Sequence, residues 1–238
     1  TQGKQSYQGE NQLKDIIDRA RVTVVMFDEN QILTTEQFWE SQILEKYRNQ
    51  AKATNNYIVL DKQLRMQADA ATMDWIDSFT KKGQLKKLPN TFGGYSIKIF
   101  DNPELLDMEI QKRAKESDSA LSRVIATYDW EYSSTRKPMA QDYLVKYWEV
   151  LIGKWHKPWN RELESELTRK EKRDIKGLAW AEQPKTINEV GSTFTIQGFD
   201  LNYAGVILGP SVKYRDGKIR FDPSASHNEK AVRNRTLS

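Results

Sequence analysis

STFTIQGFDLNYAGVILGP, residues 192–210, holds two strand-like runs on either side of a break. Ser192 to Ile196 is rich in β-branched side chains and stops at Gln197-Gly198. Asp200 follows, and a second apolar run, Ala204 to Leu208, ends at Gly209-Pro210. A glycine and a carboxylate between two such runs fit either a tight structural connection or a loop that handles phosphate. Main-chain N–H groups beside a glycine can approach phosphate closely, because no Cβ intervenes. The hydroxyls of Thr193 and Thr195 can donate to phosphate oxygens.

Working outward, strand-like and helical segments alternate. VTVVMF (22–27), NYIVL (56–60), SIKIF (96–100) and SRVIATY (122–128) read as strands, and the continuous apolar runs among them read as strands buried on both faces. Residues 10–20 place Leu13, Ile16 and Ile17 on one helical face. Thr34 and Gln37 form a capping box ahead of a helix carrying Trp39, Ile43 and Tyr47. ADAATMDWIDSFTKK (68–82) reads as a helix presenting Met73, Ile76 and Phe79. Asn102 followed by Pro103 opens another, running through Leu106, Ile110 and Ala114. YWEVLIGKWHKPWN (147–160) is expected to be partly strand, and the mixed-charge run 161–176 a helix or solvated face. The alternation argues an α/β architecture with a largely parallel sheet. GQLKKLPNTFGGYS (83–96) is the best candidate for a domain boundary, dividing residues 1–88 from 89–238.

Composition excludes several classes of chemistry. The 238 residues contain no cysteine, so disulfides and thiolate metal sites are out, and a reducing, cytoplasmic setting is expected. His156 and His227 are the only histidines, too few for a histidine metal cluster. No metal ligands are assigned, although an all-carboxylate Mg²⁺ site stays open. No stretch approaches the roughly 20 apolar residues of a membrane helix, so no membrane association is expected. The chain starts at Thr1 without Met or an apolar leader, which reads as a processed form or a piece of something longer. The net charge of +4 is matched by residues 211–238, where seven Lys and Arg face three Asp and Glu. Such a tail can attract phosphate backbones or simply be solvated.

Three further groups are candidates for chemistry. In MFDENQIL a strand-like run ends in Asp28, Glu29, Asn30 and Gln31, and ligands of open α/β sheets gather at the carboxyl ends of strands. A turn with a helix cap is the competing reading. Arg65, in LDKQLRMQ, offers a fork of donors suited to phosphate oxygens, or is an ordinary surface arginine. Trp155 and Trp159, flanked by Gly153, Lys154, Lys157 and Pro158, can stack bases or pack at a core. No phosphate loop of the Gly-x-x-x-x-Gly-Lys-Ser/Thr type occurs.

The order of these segments, strand–FDENQ, QLR, then TFTIQGFDLNYAGVILG, resembles the succession of motifs in superfamily 1 helicases. With SRVIATYDWEYSS and KYRDGKIRFDPS added, the chain resembles the bacterial Schlafen-like helicase-type ATPases from about residue 10 to about 224. The resemblance implies a RecA-like fold, with an incomplete first lobe in residues 1–88 and a second lobe in 89–238. It implies that Asp28 and Gln31 link the terminal phosphate to the nucleic-acid groove, and that Arg65 reaches that phosphate. It places Thr193, Thr195, Gln197, Gly198 and Asp200 in a motif facing both nucleotide and nucleic-acid backbone. Gln31 and Arg65 are thus the expected catalytic residues, Asp28, Gln197, Gly198 and Asp200 the nucleotide-facing ones. Thr193, Thr195, Trp155 and Trp159 are the expected nucleic-acid contacts, with single-stranded DNA or RNA as partner. ATP and Mg²⁺ belong to a full-length parent, whose phosphate loop and acidic pair would lie upstream and whose arginine motif would lie downstream. The fragment alone is then expected to bind neither tightly and to be inactive. A non-catalytic module that binds nucleic acid or protein on an ATPase-like fold is the alternative.

Overall fold

The computed structural model describes residues 12–28, 41–60, 68–89, 95–116, 121–138 and 146–232. The chain divides into two compact units, Thr1–Leu33 and Thr34–Ser238. In the first, helix α1 (Gln12–Arg19) is amphipathic and closed by a Lys14–Asp18 ion pair of 2.7 Å one turn apart. The run at 22–27 is not a strand: it has no ladder partner among the described residues, and Val24 is 85% exposed. Continuous apolar character favours a buried strand only where neighbouring strands supply both edges.

In the second unit, α2 (Ser41–Ala53) and α3 (Ala70–Thr80) match expectation, although Thr34 and Trp39 lie outside the described residues. α3 is fixed at its start by Asp69, whose carboxylate accepts from the Thr72 N–H at 2.7 Å, satisfying a donor the helix itself leaves free. The Trp75 indole N–H donates to the Lys86 carbonyl at 3.0 Å, so the segment after α3 folds back over it. The runs at 56–60 and 96–100 likewise have no ladder partner among the described residues and are not strands, with Ile58 and Ile99 exposed. α4 (Pro103–Glu116) begins as the sequence dictates: the Asn102 side chain accepts from the Leu105 N–H at 2.9 Å, and Pro103 occupies the first turn.

The core of this unit is a three-stranded sheet. β1 (Ser122–Ala126) is central and parallel to both β4 (Val190–Gly191) and β5 (Tyr203–Ile207), in the order β4-β1-β5. The register sets Val124 opposite Val190 and Gly205. Gly205 lets α4 close on the sheet, since a Cβ there would fall 2.8 Å from Ile110 Cγ1. Val124 and Ala126 therefore face α4, and Arg123 and Ile125 face the other way, because side chains alternate across a strand.

β2 (Glu149–Ile152) and β3 (Trp155–Pro158) form an antiparallel hairpin, as the expected strand content of 147–160 requires. Its end continues the sheet: Trp159 bridges Val190 in parallel, and the Asn160 N–H donates to the Val190 carbonyl at 2.8 Å. Lys157 Nζ reaches Asp107 Oδ1 at 2.6 Å, tying the hairpin to α4. Val124, Val150, Trp159 and Val190 are wholly buried, each such side chain contributing about 1.5–3 kcal/mol.

The run 161–176 becomes a 3₁₀ segment, Glu162–Glu166, and α5 (Arg169–Asp174), the latter opened by a Thr168/Glu171 capping box. Two further 3₁₀ turns, Trp180–Glu182 and Pro184–Asn188, lead into β4. β6 (Val212–Arg215) and β7 (Lys218–Phe221) make a second antiparallel hairpin, and α7 spans Glu229–Val232.

One expectation about the opening stretch is corrected. Residues 193–196 form a helical turn, α6 (Thr193–Ile196), not a strand; only the second run is a strand, as β5. The Thr195 hydroxyl accepts from the Ser192 N–H at 2.8 Å and donates to the Ser192 carbonyl at 2.9 Å. Local bonds of this kind outweigh β-propensity in a short run with no strand partner.

Candidate functional site

Because β4, β1 and β5 are parallel, their carboxyl ends open on one edge of the sheet, the side on which α/β proteins place ligands. Three segments leave that edge together: 127–129 after β1, 192–196 after β4, and 208–211 after β5. The first and the third are interlocked. The Gly209 N–H donates to Thr127 Oγ1 at 2.8 Å, and the Ser211 N–H donates to Asp129 Oδ2 at 2.8 Å. The Thr127 hydroxyl in turn donates to Asp129 Oδ2 at 3.1 Å. Gly209 has to lack a side chain here, since a Cβ would sit 2.5 Å from Asp129 Oδ2. Asp129 is buried and serves as the clamp between β1 and β5.

On this edge α6 exposes Thr193 and Phe194, and the Phe194 ring meets Tyr128 edge-on at 5.4 Å. Thr195 spends its hydroxyl on Ser192, leaving Thr193 as the solvent-facing hydroxyl of the turn. Gln197 is exposed, and Gly198 adopts φ +80 with open space where a Cβ would stand. From Gly198 the chain passes Asp200, also exposed, to the amino end of β5, where Asn202 and Tyr203 donate their N–H groups to the Leu121 carbonyl. Hydroxyl, amide and unobstructed main chain suit contact with phosphate oxygens. No group of three or more His, Cys, Asp or Glu able to hold a metal ion occurs among the described residues.

Behind the edge lies a buried polar layer with no local signature in the sequence. Glu189, 1% exposed, accepts from the Leu163 N–H at 2.6 Å and from the Trp180 indole N–H at 2.9 Å. Burial pushes its carboxyl up to about 7 against these two bonds, with Glu162 and Glu164 adding to the rise. Arg123 donates to Thr186 Oγ1, Ser122 O and Gln183 O, and burial pulls its guanidinium below the usual value. The crevice beside Glu189, about 10 Å³, has room for one water at most and is no substrate pocket. Trp180 also covers Gly191, where a Cβ would meet Cη2 at 2.7 Å.

Thr193, Thr195, Gln197 and Gly198 are thus brought together in one short segment leaving the carboxyl edge, and Asp200 lies beyond them on the way to β5. Gln31 and Arg65 lie outside the described residues, and Asp28 belongs to the first unit. Trp155 and Trp159 are core residues: Trp159 is fully buried against Tyr128 at 5.5 Å and Trp130 at 6.3 Å, with no ring face open to a base. Sequence reading missed Thr127, Asp129 and Gly209, though the polar pair closing SRVIATYD and the Gly-Pro after β5 mark strand ends where such contacts form. It also missed the β6–β7 hairpin, for which Asp216-Gly217 between alternating runs is a strong signal.

No helix among the described residues is long and apolar enough to cross a membrane. Comparison with known proteins adds the following. A family profile described as Schlafen group 3, DNA/RNA helicase domain, matches residues 1–237. A Saccharomyces cerevisiae protein, Uncharacterized protein YPL245W, is 27% identical over an alignment of 226 residues that covers 87% of this chain and 45% of the yeast protein. The chain therefore spans less than half the length of the curated relative it matches. No solved structure matches it.

Proposed function

The chain belongs to the Schlafen group 3 DNA/RNA helicase domain family, and from that premise we propose that it forms part of an ATP-dependent nucleic-acid motor. In this reading residues 1–88 complete a first RecA-like lobe and 89–238 form the second. The observation that carries it is the match of a helicase-domain profile to residues 1–237. The carboxyl edge of the parallel sheet supports it, because Thr193, Gln197 and Gly198 offer donors and open backbone suited to phosphate.

Gln31 and Arg65 act on the terminal phosphate, Arg65 by stabilising charge that develops on the transferring group. Asp28 has a nucleotide-facing role in this reading, and so do Gln197, Gly198 and Asp200. Thr193 faces the nucleic-acid backbone, and Thr195 shapes the turn that presents it. ATP supplies the phosphoryl group to be transferred. A phosphate loop for it is absent from residues 1–238, so the longer protein provides that element and the Mg²⁺ ligands. Single-stranded DNA or RNA is the partner, and the cytoplasm the setting.

Phosphate release tests the reading. Residues 1–238 alone should match a no-protein blank with or without single-stranded DNA. The longer protein should turn over ATP and be stimulated by the DNA. A longer protein that binds oligonucleotide yet never releases phosphate would replace the motor by a non-catalytic nucleic-acid module.

A further inference from the structure

The β6–β7 hairpin segregates its side chains by charge. Lys213 pairs with Arg220 and Arg215 with Lys218, whereas Val212 pairs with Phe221 and Tyr214 with Ile219. Directly opposed residues share a face and neighbours along a strand do not, so four cations occupy one face and four apolar side chains the other. Opposed Cβ atoms stand about 4.5–5.5 Å apart, and same-face neighbours along a strand about 7 Å, so the cations fill one small patch. Like charges set directly opposite one another destabilise a hairpin. Lys213 is neutralised by Asp222, whose carboxyl its bond holds down at about 2 with help from Ser224. Among the described residues no carboxylate pairs with Arg215, Lys218 or Arg220, and all three are exposed.

The hairpin is nevertheless held firmly. Its turn, Asp216-Gly217, has φ +51 and +73, the two left-handed residues of a tight connection whose twist suits the strands. Its root is bonded to the carboxyl edge through Ser211 N–H and Asp129, and its outer edge is bonded to Gly83, whose carbonyl accepts from the Ile219 N–H at 2.7 Å. It springs from the end of β5, three residues after the Thr127–Gly209 contact begins the clamp.

The geometry points to a binding face for a nucleic-acid phosphodiester backbone on this hairpin, made by Arg215, Lys218 and Arg220 with Lys213 at its margin. This inference rests on the nucleic-acid part of the reading above and assigns it a surface outside the motif at 193–200. A regular polyanion is the partner that relieves several opposed cations at once, and arginine forks bond two phosphate oxygens each. The contact is to backbone, so it carries no base preference.

The test is fluorescence anisotropy of residues 1–238 with a labelled oligothymidylate across a salt series. The variant R215Q/K218Q/R220Q is compared with K170Q/K172Q/K176Q, which removes equal charge from exposed positions in and after α5. Removing three backbone contacts should weaken binding about tenfold or more and flatten the slope of log K against log salt by about 2, given about 0.7 per phosphate on a single strand. The α5 variant should keep the wild-type slope. Equal losses in both variants, or none in the hairpin variant with its thermal melt unchanged, would overturn the hairpin face while leaving nucleic-acid binding intact. Binding of polyglutamate as tight as that of oligothymidylate would overturn it in favour of an acidic protein partner. Failure of the wild-type chain to bind oligonucleotide at all would sink both this face and the nucleic-acid reading.

Discussion

A carboxyl enclosed between an indole N–H and a main-chain N–H, as Glu189 is, exchanges protons differently in the folded and unfolded chain. Its folded value of about 7 lies above the ordinary 4.5, so between those values the folded state holds more protons. Glu189 therefore favours folding fully below about pH 4.5, and this contribution is lost as pH rises through about 7. The difference is worth at most about 3 kcal/mol. Glu162, raised by burial despite its bond from the Trp148 N–H, acts in the same direction. Urea unfolding of wild type should show stability falling between pH 5 and pH 7.5. Glu189→Gln should start lower, because the amide nitrogen that replaces one carboxyl oxygen faces an N–H and cannot accept from it, yet show a flatter pH response. An unchanged slope in that variant would remove Glu189 from the account. Gly209 is the second sensitive residue: Gly209→Ala drives a methyl to within 2.5 Å of Asp129 Oδ2 and 2.9 Å of Thr127 Oγ1. A loss of about 1–3 kcal/mol is expected from such overpacking, read as a lower thermal midpoint.

At the scale of elements, what decides structure is whether a run finds a partner. SRVIA and VTVVMF both read as strands, yet the first becomes β1 because β4 and β5 supply both of its edges, and the second has no ladder partner among the described residues. Strand patterns were thus legible as patterns and not as pairings. The Asn102-Pro103 start was legible outright, since it acts within three residues of itself, whereas Asp69 reads from sequence as part of the helix it caps. The segment 193–198 reads from sequence as a strand ending in a glycine break, but its helical turn depends on how one hydroxyl, that of Thr195, is used. The Asp129 clamp joins residues 82 positions apart, beyond what local pattern can reveal. The hairpin offers a direct check at this scale. Gly217→Ala meets no atom within 4 Å and so isolates the backbone cost of φ +73, about 1 kcal/mol. Asp216→Asn, which tolerates the left-handed region, should be neutral. Hydrogen-exchange protection at Lys213 and Ile219 should fall in the first variant and not in the second.

For the whole molecule, the family and the sheet edge set the expectations. In the longer protein, Arg65→Ala should lower kcat about 10³-fold with the KM for ATP little changed, the pattern of a charge used mainly in the transition state. A variant retaining full turnover would remove Arg65 from phosphoryl transfer. The sheet that positions the site also contains its own indicator. Trp180 lies closed in over Gly191 with its N–H on Glu189, while α6 starts two residues further along the chain. Anything that dislodges that turn or ionises Glu189 alters the surroundings of the indole. Unlabelled protein should therefore signal occupancy of the sheet edge through the colour of its own ultraviolet emission.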